Sequence, residues 1–71
     1  MSKKRDILIN LRKEKDLVQK DVVFLLEKMH GIKITESYYG MIEQGVRTPS
    51  LNIALAISEL FKKDANEIFF N

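Results

Sequence analysis

Glu36, Ser37, Gly40, Met41 and Gln44 stand at i, i+1, i+4, i+5 and i+8, the spacing that gathers side chains on one face of a helix. A helix face open to solvent ordinarily carries Lys and Glu along its centre. This one carries small and hydrogen-bonding groups, a set suited to being pressed against another molecule, such as the base edges of a major groove. Gly40 removes a side chain and so permits close approach, at a cost of about 1 kcal/mol of helix stability relative to alanine. Met41 suits a thymine methyl or the edge of a core. Tyr38 is expected to be exposed, with a phosphate contact or no partner.

Other chemistries find little support. The chain has no cysteine, hence no thiolate nucleophile, thiolate metal site or disulfide. His30 stands alone and is read as a helix-end residue near carbonyls rather than a metal ligand. The acidic residues are scattered, Ser37, Ser50 and Ser58 have no companion base, and there is no Gly-rich phosphate loop. This points away from an enzyme and calls for no cofactor.

The elements that must position the face are short. Seventy-one residues are expected to form one domain over 1–71, near the lower limit for a self-supporting core. No apolar run approaches the roughly 18 residues of a membrane span, and the basic start lacks the apolar stretch of a signal peptide. A cytoplasmic protein is expected. Net charge is +2, but residues 1–35 carry nine Lys/Arg against five Asp/Glu, and residues 36–71 carry three against five. A basic N-terminal half favours a polyanionic partner.

One proline and three glycines leave room for helices, and strand-like alternation is confined to "GIKIT". The first helix is expected from Lys3 to Lys15, with Leu8 and Leu11 inward and Ile7 beside them, broken by Asp16-Leu17. The second runs from Gln19 to Met29 with Val22, Leu26 and Met29 on its buried face, and Gly31 stops it. Thr35 caps the third, in which Tyr39 and Ile42 face inward with Ile34 as an anchor, ending at Gly45. Ser50 caps a fourth from Leu51 to Lys62, and Asp64 a fifth through Phe69. In the fourth, Leu51, Ala54, Leu55, Ser58 and Phe61 account for the core. Ile53, Ala56 and Leu60, with Phe70 nearby, form a second apolar stripe expected to serve a dimer.

The stretch "LRKEKDLVQKDVVFLL…ITESYYGMIEQGVRTPSLNIALAISELFKKDANEIF" resembles the Cro/CI-type (Xre-like) helix-turn-helix family over about residues 5–69. The resemblance rests on Leu11-Arg12, Gln19, Ile34-Thr35, Ile42-Glu43-Gln44-Gly45, Arg47, Pro49-Ser50-Leu51 and Glu67-Ile68-Phe69, in order and spacing. It implies an all-α, five-helix, lambda-repressor-like DNA-binding domain whose third helix enters the major groove. Carried over, Glu36, Ser37, Gly40 and Met41 stand at base-contacting positions. Gln19, Lys20, Tyr38, Gln44, Arg47 and Ser50 stand at DNA-backbone positions, and Arg12 and Glu43 match a structural ion pair. Helix 2 is about one turn longer than is usual in the family, the turn after Gly31 is longer by Ile32 and Lys33, and Val23 replaces a small residue. "SKKR" is either an N-terminal arm to DNA or a frayed terminus.

The function implied is that of a sequence-specific, double-stranded DNA-binding transcriptional regulator, a repressor of bacterial or phage type, paired as a homodimer on DNA. The alternative is a protein-interaction module on the same scaffold, an antitoxin or anti-repressor with a protein partner. Salt separates them, because DNA binding weakens with salt by a log–log slope near −0.9 per phosphate contact.

Overall fold

The structure is a computed structural model and describes residues 4–70. Five helices follow in order: α1 (Asp6–Glu14), α2 (Gln19–His30), α3 (Glu36–Glu43), α4 (Leu51–Phe61) and α5 (Ala65–Phe69). No strand occurs among the described residues. α3 lies against α1 and α2, α4 packs on α2 and α5, and α5 returns to α1. Leu8, Val22, Leu26, Tyr39, Ile42 and Ile57 are fully buried at the centre.

The helix ends follow local chemistry. Lys4 and Arg5 are not helical, so α1 begins at Asp6, later than expected. It stops where Asp16 takes φ 57°, a left-handed conformation that Asp tolerates better than most residues. The Asp21 carboxylate accepts from the Val18 amide at 3.0 Å and so satisfies one donor at the start of α2. Gly31 closes α2 at φ 67°, where glycine has no Cβ penalty. Its amide and that of Ile32 bond the carbonyls of Glu27 and Leu26.

The longer turn is absorbed by alternation. Ile32 and Ile34 pack against the core, while Lys33 points outward, its Nζ 3.8 Å from Glu27. Thr35 then caps α3, its hydroxyl accepting from the Tyr38 amide at 3.0 Å. Asp64 caps α5 through the Asn66 amide. Ser50 stands at the α4 N-cap position, but its hydroxyl donates to the Asn52 side chain at 3.0 Å instead of capping the backbone.

Three burial expectations are corrected. Met29 is 62% exposed, because the last turn of the long α2 runs past the core, whose edge Ile32 and Ile34 close instead. Ile7 is exposed at the flank of α1. On α4 Ala54, Ser58 and Phe61 are buried as expected, but the rest of the buried arc shifts. Ala56 and Ile57 are buried and Ile53 and Leu60 pack against the core, whereas Leu51 is 65% and Leu55 51% exposed. α4 is covered on two sides, by α2 and α5, so its buried arc is wider than one stripe and is displaced toward Ile53 and Leu60. Of the expected pairing surface, only Phe70 stays exposed.

Candidate nucleic-acid interface

α3 is held by its buried face. Tyr39 and Ile42 are fully buried and Glu43 is 2% exposed. A carboxylate so buried requires partners, and it has them. Arg12 from α1 donates through Nε to Oε2 at 2.6 Å and through Nη2 to Oε1 at 3.1 Å. Gln19 from α2 donates through Nε2 to Oε1 at 3.0 Å. Arg12 Nη1 also reaches the Leu17 carbonyl at 2.9 Å, so the expected ion pair also fixes the turn that leads into α2.

The ionisation of this cluster follows from its contacts. Burial pushes the Glu43 carboxyl up, but hydrogen bonds from Arg12 and Gln19, the nearby Tyr39 hydroxyl and the Arg12 charge outweigh it and hold the group below its ordinary value. The hydrogen bond to Glu43 raises Arg12 in turn. The buried Tyr39 hydroxyl lies close enough to favour the Glu43 charge but short of a well-formed hydrogen bond. Burial first, then the Glu43 charge, push Tyr39 far above the usual tyrosine range.

Gln19 was expected at a DNA phosphate. Its side chain instead belongs largely to this network, half-buried between α2 and α3. Gly40 explains the fit: a Cβ there would lie 3.3 Å from Gln19 Oε1. The close approach that the glycine permits is therefore that of α2 to α3. Gly40 itself is half-buried.

Opposite the buried side, Glu36 and Ser37 are exposed and Met41 is half-buried. Tyr38 is half-buried against the core rather than exposed. Gln44, Arg47, Ser50 and Lys20 are exposed around this face, with Gln44 at the end of α3 and Arg47 in the loop before α4.

Arg5 is the residue that sequence reasoning missed. Its Nη1 donates to the Ile42 carbonyl at 2.6 Å and the Arg47 carbonyl at 2.9 Å. Its guanidinium lies 5.3 Å from the Phe69 ring centroid. In the sequence it reads as part of the basic "SKKR" arm. Ser2 and Lys3 of that arm, like the expected helix start at Lys3, lie outside the described residues. The one hint was indirect, in that α3 has no basic residue of its own near its C-terminus.

No group of His, Cys, Asp and Glu suited to a metal occurs among the described residues, and no helix there is long and apolar enough to cross a membrane. His30 ends α2, its Nδ1 3.9 Å from Glu59. A helix-turn-helix family model matches residues 8–68, which takes in Arg12, Gln19 and Glu43 and the whole of α2, α3 and α4. No curated protein and no solved structure matches the chain significantly. The family is one of DNA-binding regulators rather than enzymes. With its five-helix architecture and the buried Arg12–Glu43 tie beneath α3, the chain belongs to the Cro/CI-type, Xre-like helix-turn-helix family of DNA-binding proteins.

Proposed function

We propose that the chain, as a single domain over 1–71, is a sequence-specific transcriptional repressor of bacterial or phage type, working in the cytoplasm on double-stranded DNA. The observation that carries this reading is the asymmetry of α3. One side is locked by Tyr39, Ile42 and Glu43, and the other offers Glu36, Ser37 and Met41 with no opposing element among the described residues. Met41 contacts a thymine methyl, and Ser37 and Glu36 read base edges, Glu36 by accepting from a cytosine amino group. Gly40 lets α3 and α2 close up behind them, so it serves the reading face from the side. Lys20, Gln44, Arg47 and Ser50 hold the DNA backbone, and Tyr38 reaches it with its hydroxyl end.

A second copy completes the site. Half-sites one DNA turn apart lie roughly 34 Å centre to centre, close to the chain's longest extent of 32 Å, so neighbouring copies come near each other only with their long axes along the DNA. Leu51 and Leu55 provide exposed apolar surface for that contact. The same exposed residues, with Phe24 and Met29, favour the second reading, a module that binds a protein partner as an antitoxin or anti-repressor does.

Salt titration of binding to random-sequence duplex decides between them. A regulator loses affinity steeply, with a log–log slope near −0.9 per phosphate contact. A chain whose association with duplex is undetectable at low salt is not one.

A further inference from the structure

The last four carbonyls of α3 all have partners, and Arg5 supplies a donor to two of them. Gly40 O accepts from the Gln44 amide, and Met41 O from the amides of Val46 and Arg47. Ile42 O accepts from the Arg5 guanidinium at 2.6 Å as well as from the Gly45 amide. Glu43 O accepts from the Arg5 backbone amide at 2.8 Å. A cation near a helix C-terminus opposes the negative end of the helix dipole. α3 has none in its last turn, and Arg5 brings one from the segment before α1.

The geometry points to Arg5 as a positioning residue for the DNA-backbone loop. Its side chain bridges the end of α3 to the Arg47 carbonyl, with the Phe69 ring behind it, and so sets where Arg47 is offered relative to Ser37 and Met41. The inference rests on the reading of Arg47 as a phosphate contact. Arg5 commits its Nη1 to carbonyls, and the role assigned to it is to serve DNA through Arg47. Lysine is a poorer substitute: both carbonyl bonds come from the single Nη1, but an ammonium on a flexible stem loses the flat guanidinium that lies on the Phe69 ring and holds that nitrogen in place.

The test uses the full chain with Arg5→Lys, Arg5→Ala and Arg47→Ala, and the doubles of each Arg5 variant with Arg47→Ala. Binding is followed across a salt series, on a duplex recovered by the wild-type protein from a random pool. Amide hydrogen exchange at Val46 and Arg47 is measured without DNA. Arg5→Lys keeps fold and charge, so it is expected to speed exchange at Val46 and Arg47 at least tenfold relative to the core amide of Ile57. It also weakens binding roughly tenfold, the worth of one charge-assisted hydrogen bond, and lowers the salt slope by about one. The double variants then bind no worse than Arg47→Ala alone, since coupled sites are not additive. If Arg5→Ala unfolds, Arg5→Lys carries the comparison. Unchanged exchange overturns the inference, as do additive losses with the slope falling by about two in the double. A wild-type chain that binds no duplex ends both the reading of Arg47 and the role of Arg5 in it. Duplex binding with unchanged exchange ends only the role of Arg5.

Discussion

Arg12 and Glu43 tie α1 to the underside of α3, with Nε 2.6 Å from Oε2 and side chains 12% and 2% exposed. The carboxylate would be costly to bury alone, yet it also accepts from Gln19, so one group gathers α1, α2 and α3. Removing a partner leaves a buried charge uncompensated. Arg12→Ala is therefore expected to cost roughly 3 kcal/mol in urea unfolding, and replacing both residues by apolar ones of similar size, Arg12→Met with Glu43→Leu, to cost less. A loss below about 1 kcal/mol for Arg12→Ala would mean that water or a rearranged neighbour replaces the guanidinium.

The same pair predicts an acid sensitivity with a definite sign. The Glu43 carboxyl is held below its ordinary value in the folded state. Its contribution is present in full above the unfolded glutamate pKa of about 4.3 and fades as pH falls through the lower folded value. Stability against pH should thus drop more steeply below about pH 4.3 in the wild type than in Glu43→Gln, which is less stable at neutral pH. Parallel acid-unfolding curves for the two proteins would remove Glu43 from the account.

Gly40 and Gln19 form a second coupled pair. Alanine at Gly40 gains about 1 kcal/mol of helix propensity, but its Cβ would press on Gln19 Oε1 at 3.3 Å. With Gln19 shortened to alanine the press is gone. Gly40→Ala should stabilise the Gln19→Ala background by about 1 kcal/mol and the wild type by clearly less. Equal gains in both backgrounds would show that Gln19 yields freely and that the glycine is not needed for the approach of α2 to α3.

Leu51 and Leu55 carry the proposed pairing in place of the stripe expected from spacing. Because it is exposed, Leu55→Glu should change the stability of a single chain by no more than about 0.5 kcal/mol, while cutting affinity for a two-half-site duplex at least tenfold. Binding to one isolated half-site should not change. An equal loss on both duplexes would place the residue in some other role.

Much of the fold was legible because its signals are local. Thr35, Gly31, Asp16 and Asp64 each act within a few residues of themselves, and all four mark helix boundaries where expected. Tyr39 and Ile42 declared the buried side of α3 by spacing. Packing in three dimensions was less readable. Periodicity showed that α4 has two apolar stripes, but which one lies inside depends on where α2 and α5 settle. The Arg12–Glu43 tie was read from family likeness rather than from spacing, since 31 positions separate the two. Arg5 lies 37 positions from Ile42, and its role was hidden among neighbouring cations. Gly40 was read as an opening for DNA because nothing local reveals that Gln19 crosses beside it.

The central claim is that α3 reads bases while the loop after it holds the backbone. Random-site selection on duplex DNA tests this most directly, carried out from low to near-physiological salt with wild type, Ser37→Ala, Met41→Ala and Arg47→Ala. A paired-half-site motif is expected for wild type, altered base preference for Ser37→Ala and Met41→Ala, and the wild-type motif at uniformly lower affinity for Arg47→Ala. Sequence-blind binding by the wild type, or one unchanged motif from both α3 variants, would contradict it.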